Sequence, residues 1–250
     1  MRVRSLILLL NVLVTLAGCQ APPRVHQPPA NPAPAAYLTT TAGTLYRLLP
    51  PPPVAGSAQE RAELDELLHL QAIRTPAEAQ RAAADATVSI FRFADALGSP
   101  LQFNPGRLPR TSALFERILR DEVRFVEPAK DAYARPRPYL TEKRLSPVVA
   151  IPPSAAYPSG HATWAIACAI VLADMLPERR AQIFARADEY ARNREVGGVH
   201  YPSDVAAGHL AGTALAAQLF ELPRFLDDEA AAAAELRAAL GLPPRSPSRP

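Results

Sequence analysis

Apolar residues recur along this chain at helical spacing, with no run of strict alternation that would argue for a half-buried strand. The spacing predicts helices over residues 58–72 and 76–97, separated by the helix-start signal Thr75-Pro76, and another over 111–126. Residues 162–176 are apolar nearly all round, which admits either a buried core helix or a membrane span. The run is about three-quarters of the roughly 20 residues a span needs, and Asp174 lies inside it, so a core helix is expected. Further helices are expected over 178–193 and 203–220. In the latter, Gly208, Gly212 and Ala216 recur every fourth residue, small side chains that let two helices of one domain pack closely. Residues 227–240 read as an alanine-rich helix, with Asp227 or Asp228 as N-cap and Gly241 just past the end. The expected fold class is all-α, a single-domain helical bundle.

The two ends have a different character. Arg2 and Arg4 precede an apolar run from Leu6 to Leu16, followed by Leu16-Ala17-Gly18-Cys19. The run is too short for a permanent span and has the basic-then-apolar layout of a cleaved export signal. Its last four residues resemble a bacterial lipobox, in which cleavage after residue 18 leaves Cys19 as a lipid-modified first residue. Gln20 follows, which by resemblance to bacterial lipoproteins favours the outer membrane, so a lipid-anchored periplasmic location is expected. Residues 20–36 are proline-rich and read as an extended spacer reaching roughly 50 Å at about 3.1 Å per residue. The tether is assigned to 19–40, the folded domain to 41–241 and a proline-marked disordered tail to 242–250.

The chain holds 27 basic and 24 acidic residues, a formal charge of +3. Loss of residues 1–18 removes Arg2 and Arg4, leaving 25 basic against 24 acidic residues, or +1. Net charge therefore lends no support to nucleic-acid binding. The two cysteines are Cys19 and Cys168. With lipid on Cys19 no internal disulfide is possible, and stability must come from the core.

Three distant stretches carry the chemistry: Lys130 with Arg137-Pro138, then Pro158-Ser159-Gly160-His161, then Arg194 with His200 and Asp204. A phosphomonoester carries up to two negative charges, and its hydrolysis needs positioning and charge neutralisation. Lys130, Arg137 and Arg194 supply three cations, each worth up to roughly 4 kcal/mol at about 4 Å and an effective dielectric near 20, before desolvation. The Ser159-Gly160 pair opens the apolar helix, whose first N–H groups and positive dipole end form an anion site, with the Ser159 hydroxyl as one more donor. His200 stands four residues before Asp204. A carboxylate there can accept from one ring nitrogen and leave the other as a nucleophilic lone pair. His200 would then attack phosphorus to form a phosphohistidine, while His161 protonates the leaving oxygen and afterwards activates water. His26 and His69 show no partner pattern for a metal, His209 is expected to pack or face solvent rather than join catalysis, and Trp164 and Cys168, one turn apart, are expected to pack in the core.

These residues resemble the type 2 phosphatidic acid phosphatase superfamily, and within it the bacterial class A non-specific acid phosphatases. The resemblance covers most of residues 45–240, including Leu49-Pro50-Pro51-Pro52-Pro53, Ala84-Asp85-Ala86, Tyr157 through His161 and His200 through Gly208. It implies a helical bundle of the acid phosphatase and vanadium haloperoxidase type, no metal or other cofactor, and the roles above residue by residue. Lys130, Arg137, Ser159, Gly160 and Arg194 bind phosphate, and His200, His161 and Asp204 are catalytic. Where the family has serine before the third-motif arginine this chain has Asn193, for which tuning rather than loss is expected. Of the two Arg-Pro pairs in Arg135-Pro136-Arg137-Pro138, the distance from Lys130 selects Arg137, which leaves Arg135 as a surface or substrate-rim residue. Expected partners are small phosphomonoesters (nucleotides, sugar phosphates or aryl phosphates) and the membrane through the lipid anchor only. Rival readings are a vanadate-dependent haloperoxidase, a phosphatase acting on lipid phosphates, and a non-catalytic phosphate-binding lipoprotein. Oligomeric state is not legible.

Overall fold

The computed structural model describes residues 35–38, 45–98 and 103–245. The expected export signal, Cys19 and most of the proline-rich tether lie outside these residues. Among the described residues every regular element is helical, in the order α1 (Leu45–Leu48), α2 (Ala58–Ile73), α3 (Pro76–Asp85), a 3-10 helix (Ile90–Leu97), α4 (Pro109–Tyr133), α5 (Pro138–Thr141), α6 (Gly160–Met175), a short 3-10 turn (Pro177–Arg179), α7 (Arg180–Val196), α8 (Pro202–Phe220) and α9 (Pro223–Ala239).

Local chemistry sets most of the helix starts. Ser57 accepts from the Glu60 N–H to open α2. At α3, Thr75 and Glu78 exchange side-chain and backbone hydrogen bonds, with Pro76 in the first turn where its missing N–H costs nothing. Ser159 accepts from the Ala162 N–H at the start of α6, and Pro202 opens α8.

Helix α6 runs through the middle of the bundle, packed by α4, α7, α8 and α9. That explains its all-round apolar sequence: twelve of its sixteen residues are buried, Trp164 and Cys168 among them. Trp164 packs edge-on against Phe93 and tilted against Tyr190. Burial pushes the Cys168 thiol well above its ordinary pKa. Among the described residues no helix is long and apolar enough to cross a membrane.

The small-residue repeat on α8 serves this packing. A Cβ at Gly208 would stand 2.6 Å from the Ala162 Cβ and 2.7 Å from the Ser159 carbonyl oxygen, and one at Gly212 would run into the Thr163 carbonyl. Only glycine lets α6 and α8 approach this closely.

The structure revises several boundaries. The helix expected over 76–97 is two elements, because α3 ends at Asp85 and Ser89 starts a separate 3-10 helix by capping the Phe91 N–H. Helix α4 continues past 126 to Tyr133 although Pro128 lies inside it. A proline costs about 3 kcal/mol in a helix interior, which the packing of the surrounding Phe125, Val126 and Ala129 offsets. Helix α9 begins at Pro223, so neither Asp227 nor Asp228 is its cap. Asp228 instead accepts from the Tyr37 hydroxyl at 2.7 Å and from Arg117 at 2.6 Å.

Tyr37 and Leu38 fall within the range assigned to the tether, yet both are buried. Their backbone N–H groups donate to the two oxygens of Asp121 at 2.9 and 2.8 Å, and the Tyr37 ring packs edge-on against Phe225. In the range assigned to the tail, Arg245 pairs with Glu229 at 2.7 Å and with Asp174.

Candidate active site

A cavity of about 200 Å³ opens where α4, α6 and the loops before α5 and α8 meet. Lys130, Arg137, Gly160, His161 and His200 line it, together with Glu122, Glu127, Trp164 and the apolar Val88, Leu119 and Val123. Backbone contacts bring the stretches together. The Ser159 N–H donates to the Asp204 carbonyl at 2.9 Å, and the Gly208 contact presses the first turn of α6 onto α8.

His200 is the most constrained of these side chains. Its Nδ1 lies 3.2 Å from Asp204 Oδ2, and its Nε2 lies 2.6 Å from an Arg137 amino nitrogen. Arginine can only donate, so Nε2 carries the lone pair and Nδ1–H points at the carboxylate. Burial, then the charges of Arg137, Lys130 and Arg194, push the His200 pKa well below its ordinary value, which keeps the ring neutral. Asp204 also accepts from the Tyr201 N–H at 2.9 Å.

Behind Asp204 stands a residue expected from the sequence at the surface or the substrate rim. Arg135 is buried. It donates to Asp204 at 2.6 Å, to Glu63 at 2.9 Å and to the Ser203 hydroxyl at 2.7 Å, and its guanidinium lies 3.7 Å from the centroid of the Tyr201 ring. Burial pushes the Asp204 carboxyl up to about 6, opposed first by Arg135. Arg135 is therefore a support of the site, not a residue of its rim.

Of the three cations, Lys130 and Arg137 line the cavity and Arg194 does not. Lys130 donates to the Ala155 carbonyl at 2.7 Å, and burial followed by Arg137 pulls its ammonium down to about 8. Arg137 donates to the carbonyls of Ser154 at 3.0 Å and Val199 at 2.9 Å. Arg194 lies deeper: it is 1% exposed, and its Nε and one amino nitrogen have no hydrogen-bond partner among the described residues. Burial lowers it only to about 10, so it stays charged. A buried charged donor fork without acceptors is costly, and a tetrahedral oxyanion is its complement. The Ser159 hydroxyl, fully buried, serves as the cap of α6.

His161 begins the same helix, its ring stacked on Tyr190 at 6.0 Å between centroids. Its Nε2 lies 3.1 Å from the Ala86 carbonyl. A carbonyl only accepts, so Nε2 carries the hydrogen and Nδ1 is the nitrogen free to exchange a proton. Burial and then Arg194 push its pKa down to about 3. The Ala84-Asp85-Ala86 segment thus orients His161 through Ala86, while Asp85 accepts from Arg186 at 2.6 Å, Asn193 at 2.7 Å and Arg92 at 3.0 Å. Asn193 keeps a hydrogen-bonding role, tying α7 to the end of α3 beside Arg194.

Glu63 and Glu122 have no part in the sequence expectations, and Arg135 is misplaced by them. Glu63 and Arg135 are separated by 72 positions, and no local pattern links them. Glu122 stands two turns before Lys130 on α4, and that spacing was the available signal. Among the described residues no group of three or more histidine, cysteine or acidic side chains is placed to hold a metal ion.

Known proteins resemble this chain in sequence and in fold. The PAP2 superfamily model matches residues 115–226, the span that holds all three stretches. A non-specific acid phosphatase of Salmonella typhimurium is 30% identical over 185 residues, 71% of this chain and 74% of that protein. An acid phosphatase of Zymomonas mobilis is 29% identical over 202 residues, 76% and 75% of the two chains. In fold, a bacterial vanadium-dependent iodoperoxidase superposes with a TM-score of 0.56 at 16% identity, covering 77% of this chain and 60% of that one. With the helical architecture and the order of the three stretches, these likenesses show that the chain belongs to the PAP2 superfamily, in its bacterial non-specific acid phosphatase family.

Proposed function

We propose that this protein is a metal-independent acid phosphatase that hydrolyses small phosphomonoesters through a phosphohistidine on His200. The observation that carries the reading is the paired engagement of His200, with Nδ1 on Asp204 and Nε2 in the cavity beside Arg137. The phosphoryl group takes the donors of Arg137 and Arg194 and the charge of Lys130, and Arg137 turns from the Nε2 lone pair to a phosphoryl oxygen. His200 Nε2 then attacks phosphorus as the ester P–O bond breaks, and the leaving oxygen takes a proton from His161. The ring of His200 becomes cationic, and Asp204 stabilises it through Nδ1–H. His161, now neutral, removes a proton from water. The resulting hydroxide breaks the P–N bond, releasing inorganic phosphate and leaving His200 neutral and His161 protonated, as at the start of the first step. In the substrate-free protein His161 is neutral down to about pH 3. Burial holds it there first, and the repulsion of Arg194, Arg137 and Lys130 adds to it; the negative charge of the bound ester offsets that repulsion and draws a proton from solvent onto His161 for the first step.

The same reading places the enzyme in the periplasm, held to the outer membrane through lipid on Cys19, on the strength of the N-terminal sequence alone. The test of mechanism is rapid quenching with a 32P-labelled aryl phosphate in EDTA. Wild-type protein should turn over and yield acid-labile labelled protein, and His200→Ala should give neither. Label retained by the variant, or activity lost in EDTA and restored by metal, would refute the proposal.

A further inference from the structure

Glu122 is an acidic side chain in a cavity built for an anion. It lines the cavity with Lys130, Arg137, His161 and His200, and it is only 6% exposed. Its Oε1 lies 2.8 Å from the point where a Cβ would stand on Gly160, so the absence of a side chain there admits the carboxyl to the first turn of α6. Among the described residues it makes no hydrogen bond, and the Lys130 ammonium donates to the Ala155 carbonyl. A buried carboxyl without donors is most stable as the neutral acid, which has an O–H to give.

We propose that Glu122 is a further ligand of the phosphoryl group, binding it as the neutral acid through its O–H and losing that affinity on ionisation. The proposal rests on the phosphatase reading only in taking this cavity as the phosphate site. Burial pushes the carboxyl up to about 8, so the donor persists through acidic and neutral conditions. The groups that face it are Lys130 and Glu127 on its own helix, Cys168 and His161 on α6, and Arg137 and His200 across the cavity. As an acid it forms a charge-assisted bond to a phosphoryl oxygen. As a carboxylate it repels the dianion.

Titration calorimetry with inorganic phosphate at pH 6 and pH 9, on wild-type, Glu122→Gln and Glu122→Ala proteins, tests this. Glutamine keeps a donor and cannot ionise. At pH 6 the alanine variant should bind phosphate roughly tenfold or more weakly than the glutamine variant. From pH 6 to pH 9 the wild type should lose several-fold more affinity than the glutamine variant, phosphate's own ionisation being common to both. Lys130 also loses charge near pH 8, but with the opposite signature. Removing a neighbouring carboxylate makes the ammonium easier to deprotonate, so if Lys130 alone governed, the glutamine variant would lose more. Equal binding by the two variants at pH 6, an equal or larger alkaline loss in the glutamine variant, or no phosphate binding by the wild type would overturn the proposal. Calorimetry reads binding without turnover. Normal titrations with no ester hydrolysis would therefore sink the phosphatase reading alone, and hydrolysis with binding indifferent to position 122 would sink this one alone.

Discussion

Replacing Arg135 with methionine removes a charge while keeping most of the volume, and so tests whether the site depends on a residue that no substrate touches. The guanidinium serves two buried carboxylates, Asp204 at 2.6 Å and Glu63 at 2.9 Å. Glu63 keeps the N–H and hydroxyl of Ser203, both at 2.9 Å. Asp204 keeps the Tyr201 N–H and His200, but loses the one ion-pair partner it has besides the histidine among the described residues. Coulomb's law at about 4 Å and an effective dielectric near 20 gives roughly 4 kcal/mol for the Arg135–Asp204 attraction. Breaking a buried pair from one side costs about 3–5 kcal/mol of stability. The same loss raises the Asp204 pKa above its value of about 6, and a rise of one to two units lowers the fraction of carboxylate about 10- to 100-fold below pH 6. Urea unfolding at pH 7 should show the stability loss. The kcat of Arg135→Met should fall by that same 10- to 100-fold at pH 5 and recover toward wild type as pH rises. Joined to Asp204→Asn, the two substitutions should cost less than the sum of their separate effects. A loss of stability under about 0.5 kcal/mol, within the ordinary range for surface changes, together with a kcat ratio that does not vary with pH, would refute the reasoning.

Two further outcomes follow from packing and protonation. Gly208→Ala sets a methyl group 2.6 Å from the Ala162 Cβ and 2.7 Å from the Ser159 carbonyl. Overpacking of about 1–3 kcal/mol, less the roughly 1 kcal/mol that alanine gains over glycine in a helix, leaves a net destabilisation readable by urea titration, with a lower kcat as α6 moves from α8. A lower urea midpoint with undiminished kcat would separate this packing from alignment of the site. His161 is neutral in the folded protein down to about pH 3 and takes up a proton on unfolding below about 6.5. Its contribution is therefore present above that value and lost as pH falls, by about 2 kcal/mol at pH 5. Phosphate-free wild-type protein should lose that much more stability between pH 7 and pH 5 than His161→Asn does, and parallel curves would show the ring to be solvated.

The sequence made legible what depends on spacing along one helix or on residue type at a helix end. The i, i+4 pair His200 and Asp204, the Ser159 cap, the glycine repeat of α8 and the burial of α6 are all of this kind. What it concealed depends on partners far away in the chain. Arg135 has no neighbour in sequence that marks it as buried, because Glu63 and Asp204 come from α2 and α8. Helix α4 passes through Pro128 because burial of its flanking residues outweighs local preference. Within 76–97 the chain leaves the helix after Asp85, and the Ala86 carbonyl that follows meets His161, a partner 75 positions away. Glu122 carries no mark in the sequence beyond its spacing from Lys130 on α4.

The hold of Tyr37 and Leu38 on Asp121 bears on where this polypeptide can be cut. A fragment begun at the first helix would keep all three stretches of the site and still leave a sealed-in acid stripped of both amides that quiet it. Trimming for expression or crystallisation should therefore spare that short lead-in, which belongs to the folded body.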